Sequence, residues 1–157
     1  FKQKTAYEML RSLVGSEMCI RDSLCADSMR RAVPLFQARN PDKPIRAVSC
    51  NSWIFNNQLE YAILPPGSNL VLFQREVYLY PTPTWENGGF WFIFQQDRVT
   101  PGVTQCKTSL QRAVMDFLAA GNKWRSNGGM FMLIEDLPRF GSQPYRRAWL
   151  PAPLQSL

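Results

Sequence analysis

Residues 108–133 read TSLQRAVMDFLAAGNKWRSNGGMFML, a helix pattern that leads directly into a strand pattern. Thr108 and Gln111 have the spacing of a capping box, in which each side chain accepts a hydrogen bond from the other residue's backbone amide. Gly121 follows the last apolar position and suits the left-handed residue that ends many helices. The apolar stripe consists of Leu110, Val114, Phe117 and Leu118. This stretch therefore predicts an amphipathic helix, a turn, and a strand over 130–137.

Upstream, the sequence predicts a further helix and strand. Apolar spacing predicts a helix over 26–41, with Asp27 or Ser28 as its N-cap. The segment PIRAVSCNSWIF, residues 44–55, contains β-branched and apolar residues that predict a strand. We expect that strand to end in a turn at Asn51–Ser52.

Between these two regions the pattern predicts one short helix and two strands. The helix falls within 56–69 and is closed by two prolines and a glycine. Alternation in NLVLFQREVYLYPTP, residues 69–83, predicts a strand with Gln74 and Arg75 on opposite faces, one of them towards a cleft. FWFIF at 90–94 predicts a second, antiparallel strand that is buried on both faces. The fold class predicted is α+β, with a mostly antiparallel sheet packed by two main helices.

The composition excludes several kinds of catalytic and metal site. The 157 residues contain no histidine, which excludes Ser-His-Asp and Cys-His catalysis and most histidine-based metal sites. The four cysteines include no CxxC pair, so we predict neither a disulfide framework nor a zinc site. A reducing, cytoplasmic location is the simplest expectation. No apolar run approaches the roughly 18 residues of a membrane span, so no membrane partner is expected.

Residues 1–23 are predicted to be non-native. They lack the apolar stretch of a secretory signal and hold too many acids for a mitochondrial presequence. Back-translated, 2–22 resembles a short-read sequencing adapter, an index and a transposase end. Residues 24–157 carry 14 basic and 9 acidic side chains, a net +5. This charge is spread along the chain, so nucleic acid is not favoured as a partner and a polyanion-binding module is only a second alternative.

Five short sequence motifs resemble those of a known family. They lie, in chain order, at Cys50–Trp53, Leu64–Asn69, Phe73–Arg75, Thr108–Arg112 and Gly128–Gly129. Together they resemble the GNAT-like C-terminal domain of bacterial acyltransferase-domain proteins, over residues 27–133. The resemblance implies a GNAT-like domain over 24–140, truncated at its N-terminus, and a proline-rich tail over 141–157. It also implies a missing partner, the N-terminal domain of the same protein.

The resemblance further implies an acyl-CoA co-substrate, an amine or other small-molecule acceptor, and no metal. GNAT-like enzymes pair the pantetheine amides with a strand where the sheet splays and hold the pyrophosphate at a helix N-terminus. Carried onto this chain, that implies cofactor-binding residues at Gln74, Arg75, Thr108, Ser109 and Arg112. For Thr108 and Ser109, the alternative is that a capping box itself uses the backbone amides. For Arg112, the alternative is a position on the exposed face of the helix. Each alternative stays open.

Cys50, Asn51 and Ser52 are the candidate catalytic residues. Where the family has histidine this chain has Asn51, which cannot transfer protons near neutral pH. A polar group at a strand end could position a substrate amide or a thioester carbonyl. The alternative is an internal turn, with Cys50 and Trp53 in the core and no base to activate the thiol.

These residues leave two functions open. One is the C-terminal part of an acyl-CoA-dependent N-acyltransferase, and the other is a non-catalytic GNAT-like domain that binds a ligand or partner. The segment RSNGGM, residues 125–130, is the nearest match to a phosphate-binding loop, but a hairpin-type turn is the prediction there.

Overall fold

The computed structural model describes residues 22–84 and 87–145, with side chains from Cys25 onward. Residues 1–21, most of the segment predicted to be adapter-derived, lie outside the described residues, and their origin stays a prediction. Within 22–84 and 87–145, no helix is both long enough and apolar enough to cross a membrane.

The first helix, α1, spans Asp22–Arg39 and packs one face on the core. Its predicted N-cap at Asp27 or Ser28 is wrong, because the helix begins at least one turn earlier. Asp27 instead forms an ion pair with Arg31 at 2.7 Å, as residues four apart on a helix can. The α1 side chains that meet the core are Cys25, Ala26, Met29 and Val33.

Three strands form one antiparallel sheet in the order β1-β3-β2. The strands are β1 (Ala47–Ser52), β2 (Tyr78–Pro81) and β3 (Gly128–Leu133). Ser52 and Pro81 both lie opposite Gly128, so the C-terminal ends of β1 and β2 lie beside the N-terminal end of β3. We call this end of the three strands the glycine end of the sheet. The α+β class with an antiparallel sheet is confirmed.

A run of short helical segments connects β1 to β2. It consists of a 3₁₀-helix at Trp53–Phe55, a π-helix at Leu59–Ile63 and an α-helix, α2, at Asn69–Arg75. The short helix predicted within 56–69 is confirmed. The strand predicted over 69–83 is wrong in its first half, and strand structure is limited there to β2.

The reason for that error is local. Ser68 caps α2, because its Oγ accepts a hydrogen bond from the Val71 amide at 3.4 Å. Val71 and Gln74, three residues apart, are buried on the inner face of the helix together with Phe73. Apolar residues at positions 71 and 73 fit a strand period equally well, so the alternation in the sequence could not separate the two structures.

The second predicted strand, FWFIF, is also wrong, because Phe90–Phe94 forms a short helix, α3. Phe90, Ile93 and Phe94 face inward at helical spacing, whereas Trp91 and Phe92 are 48% and 39% exposed. Gly89 and Gln95 bound this helix with φ values of +87° and +60°. Left-handed residues at both ends limit α3 to little more than one turn.

The helix predicted from Thr108 is confirmed as α4, Ser109–Ala119, with a complete capping box between Thr108 and Gln111. Gly121 takes the left-handed conformation, with φ of +81°. The strand predicted over 130–137 starts and ends earlier, because Gly128 and Gly129 belong to β3 and Ile134–Arg139 turns into a 3₁₀-helix. The predicted hairpin-type turn at 125–130 is therefore wrong.

One hydrophobic core joins the inner face of the sheet to these helices. Its most deeply buried side chains, all at most 4% exposed, are Trp53, Phe55, Leu59, Val71, Val77, Phe90, Ile93, Val114, Met130, Met132 and Leu137.

Candidate functional site

A row of three residues crosses the outer face of the sheet near its glycine end. Asn51 of β1 and Tyr80 of β2 both lie opposite Gly129 of the central strand. The Tyr80 hydroxyl donates to Asn51 Oδ1 at 3.1 Å and lies 3.5 Å from Ser49 Oγ. Residues directly opposite each other point to the same face, so the phenol ring passes over Gly129 to reach the far strand.

Both glycines of β3 are places where no side chain fits. A Cβ built on Gly129 would lie 2.3 Å from the Tyr80 ring and 2.8 Å from Asn51 Oδ1. A Cβ on Gly128 would lie 1.9 Å from the carbonyl oxygen of Phe55. The two glycines therefore let the Tyr80 ring and the Phe55 carbonyl approach β3 closely. Neither glycine has a positive φ.

The predicted catalytic residues are consecutive on β1, and the turn predicted at Asn51–Ser52 is wrong because both continue the strand. Cys50 lies opposite Met130 on the core face, whereas Asn51 points outward. Cys50 is exposed as a residue, yet partial burial of its thiol raises the pKa above the ordinary value. A thiol shifted in this direction is less nucleophilic at neutral pH than a free cysteine.

A cavity of about 390 Å³ opens at the glycine end of the sheet. One wall is β2 and the residues after it, including Leu79, Tyr80 and Thr82. The other wall is formed by the segments around Phe55 and Arg125. Because Tyr80 lines the cavity and also bonds Asn51, it connects the predicted catalytic strand with the cavity.

Side-chain amides hold the second wall in place. Gln58 Oε1 accepts from the Arg125 amide at 2.6 Å, and Gln58 Nε2 donates to the Lys123 carbonyl at 2.9 Å. Asn56, which is 1% exposed, donates through Nδ2 to the Arg125 carbonyl. Gln74 Nε2 donates to the carbonyls of Ile54 and Asn56, at 2.6 and 3.0 Å. Asn56 and Gln58 thus fix the backbone that leads into β3, while Gln74 fixes the segment that carries Asn56.

Gln74 and Arg75, predicted to bind cofactor, have structural partners. Gln74 is 1% exposed and directs its amide group into the core. Arg75 Nε donates to Glu60 Oε1 at 2.9 Å, and the Glu60 side chain is only 4% exposed. The structure places neither beside the Asn51–Tyr80 contact, and their cofactor role stays a prediction.

Thr108, Ser109 and Arg112 lie at the start of α4. Gln111 Oε1 accepts from the amides of Lys107 and Thr108, at 2.6 and 3.1 Å, while Thr108 Oγ1 accepts from the Gln111 amide at 3.1 Å. The capping box thus uses donors that an anion would need. Of the hydrogen bonds and ion pairs between described residues, none joins this end of α4 to β1.

Sequence reasoning missed Tyr80 and Arg125 as members of this site. The signal for Tyr80 was the Gly128–Gly129 pair, which marks a close approach once it is placed inside a strand instead of a turn. Arg125 was noted only as the first residue of the nearest match to a phosphate-binding loop, because its place at the cavity depends on Asn56 and Gln58 far away in the sequence. In the part of the chain that the structure describes, no three His, Cys, Asp or Glu side chains group as metal ligands would.

Crystal structures of acyltransferases share this fold. The chain is similar to an acyltransferase in complex with decanoyl-CoA and teicoplanin, at 24% identity and a TM-score of 0.61. It is similar to an acyltransferase mutant in complex with octanoyl-CoA (23%, 0.60) and to an acyltransferase in complex with CoA and 10C-teicoplanin (24%, 0.61). Each match covers 76% of this chain and 38% of the solved chain. No curated protein matches the sequence.

The sequence profile of one family covers most of the chain. The profile is that of the GNAT-like C-terminal domain, and it matches residues 3–131. The predicted resemblance and the GNAT-like fold are therefore confirmed, and the chain belongs to the family of GNAT-like C-terminal domains.

Proposed function

We propose that this chain is the C-terminal part of an acyl-CoA-dependent N-acyltransferase. The observation that carries the proposal is the Asn51–Tyr80 contact, which joins the family's expected reaction strand to a cavity. β1 lies at one edge of the sheet, and no described strand pairs with its outer side. A free strand edge offers backbone amides and carbonyls of the kind that pair with an extended, amide-containing ligand such as pantetheine.

The reaction proposed is attack of an amine on the thioester carbonyl. A C–N bond forms, the C–S bond breaks, and the proton lost by the amine balances the thiolate that leaves. Asn51, Ser52 and Tyr80 supply hydrogen-bonding groups at the glycine end, and none of them is an ordinary base at neutral pH. We infer that orientation of the two substrates and hydrogen bonds to the carbonyl oxygen supply the rate, while water accepts the proton.

The chain spans about 38% of the length of the solved acyltransferases that it matches. The activity of a whole enzyme, its acyl chain and its acceptor are therefore part of the proposal. We propose that a further domain of the same protein completes the site, on the free side of β1.

The test is a thermal-shift titration of the full chain with decanoyl-CoA, with free CoA as the comparison. A ligand at about a hundredfold excess over its Kd stabilises the native state by about 2.7 kcal/mol, which raises the melting temperature measurably. Tyr80→Phe should reduce the decanoyl-CoA shift, whereas Tyr61→Phe, at a position 70% exposed, should not. A folded sample that shows no shift with either ligand, both alone and together with the proposed further domain, would reject the proposal.

The second candidate is a non-catalytic domain that binds a ligand or partner. Two observations favour it, namely asparagine at position 51 and the raised pKa of the Cys50 thiol. Release of free CoA from decanoyl-CoA in the presence of an amine separates the candidates. A thermal shift without amine-dependent release, in a sample that also contains the missing domain, would establish the second.

A further inference from the structure

Arg125 is the one charged side chain among the described residues that line the cavity. We propose that the cavity binds an acyl acceptor that carries an anionic group, a carboxylate or a phosphate, and that the Arg125 guanidinium binds this group. This inference rests on the proposed function for the word acceptor, but the anion site itself can be tested without acyl-CoA.

The Arg125 backbone is held by hydrogen bonds, whereas its guanidinium is available to a ligand. Its amide and carbonyl are both bonded, by Gln58 Oε1 and Asn56 Nδ2. Across 22–84 and 87–145, by contrast, the guanidinium has no hydrogen-bond or ion-pair partner. A cation on a fixed backbone, with no ion-pair partner in the described ranges, can bind an oxyanion with less ordering cost than one on a mobile loop. The guanidinium also matches the two oxygens of a carboxylate or phosphate.

The rest of the lining indicates a ligand with an apolar body. Phe55, Leu79 and Pro81 present apolar surface, while Asn127 adds a second polar group on the Arg125 side. Thr82 Oγ1 is buried and has no hydrogen-bond partner among the described residues. An orphaned buried hydroxyl in a cavity wall is satisfied when a ligand supplies a polar atom.

The position of the cavity separates the proposed acceptor from the strand edge proposed for pantetheine. The cavity is walled by β2, whereas the free strand edge proposed for pantetheine belongs to β1, and β3 lies between them. The acceptor and the thioester would then approach the Asn51–Tyr80 contact from opposite sides. A direct transfer then requires the amine and the thioester carbonyl to meet at this contact, with the reacting atoms about 3–3.5 Å apart.

The test measures binding of hexanoate and hexanamide to the full chain by ligand-observed NMR, at constant ionic strength. The two probes have the same apolar body and differ in charge. Arg125→Gln should weaken hexanoate binding about tenfold, the effect of losing one solvent-accessible charged hydrogen-bond pair, and leave hexanamide unchanged. Lys123→Gln is the matched control, because it removes the same charge two residues away and outside the lining. It should leave hexanoate binding as in the unaltered chain.

A third probe, adenosine 3′,5′-bisphosphate, distinguishes the source of the anion. If Arg125→Gln weakens this nucleotide about tenfold and not hexanoate, Arg125 binds CoA phosphate and the acceptor assignment is overturned. Equal losses of hexanoate binding in Arg125→Gln and Lys123→Gln, or no hexanoate binding at all, overturn the site. If hexanoate binding depends on Arg125 but decanoyl-CoA does not bind, even when the proposed further domain is present, the anion site is kept and the transferase is rejected.

Discussion

The Tyr80 hydroxyl reaches Asn51 Oδ1, at 3.1 Å, although their strands are not neighbours in the sheet. Two strand spacings of about 4.8 Å each separate β2 from β1, and the phenol ring spans them by lying over Gly129. An absent side chain on the central strand is thus what permits the contact. The requirement for glycine here comes from close approach, since its φ is not positive.

Gly129→Ala should displace Tyr80 and break its hydrogen bond to Asn51, because the new methyl group would lie 2.3 Å from the ring. Forced crowding of this kind costs about 1–3 kcal/mol in the free energy of unfolding, which urea denaturation measures. Gly67→Ala is the control, since nothing lies within 4 Å of its Cβ position. Equal stabilities for the two variants would contradict the close approach.

The fold class followed from the sequence because α4 carries agreeing local signals. Thr108 and Gln111 fix its start, the apolar stripe fixes its inner face, and Gly121 fixes its end. The two helices that were predicted as strands, at 69–75 and 90–94, are short apolar segments whose ends are set by Ser68 and by left-handed Gly89 and Gln95. In segments that short the helix and strand periods coincide, and tertiary packing decides between them.

Thr108→Ala should destabilise the chain by about 1 kcal/mol, because it removes the acceptor for the Gln111 amide. Ser109→Ala, at the next and exposed position, should change the free energy of unfolding by less than about 0.5 kcal/mol. Chemical denaturation of the two variants, side by side, measures the difference. A Ser109 variant that loses as much as the Thr108 variant would show that the capping box contributes nothing.

Only those residues of the candidate site that lie in one local motif could be predicted from the sequence. Asn51 and its neighbours were found because they match one short motif of the family resemblance, whereas Tyr80, Gly129 and Arg125 join them through strand pairing and through amide side chains such as Asn56. Long-range register is set by the whole fold, so no local pattern contains it.

Glu76 holds the segment that follows the 3₁₀-helix at Ile134–Arg139. Its buried carboxylate accepts through Oε2 from the Gly141 and Gln143 amides, at 2.8 and 3.1 Å. Glu76→Ala would leave both amides without an acceptor and should cost about 1.5–3 kcal/mol. Amide hydrogen exchange at the two positions should accelerate, while exposed Glu135→Ala should leave it unchanged. Exchange at 141 and 143 that does not respond to Glu76→Ala would contradict this role.

The pH dependence of Cys50 alkylation tests whether its thiol is an activated nucleophile. Burial raises the pKa of its thiol in the folded chain, so the thiolate forms at higher pH there than in the unfolded chain. The native state keeps the proton that the unfolded state loses, and stability from this group is complete below the unfolded pKa and falls as pH rises through the folded one. Iodoacetamide alkylation of Cys50, followed by peptide mass spectrometry, should therefore have a higher pH midpoint in the folded chain than in urea.

Cys50→Ser is the control for this measurement. It identifies the peptide signal and, if the thiol is not a nucleophile, should bind decanoyl-CoA as the unaltered chain does. A midpoint lower in the folded chain would mean an activated thiolate, and would return Cys50 to the centre of the chemistry.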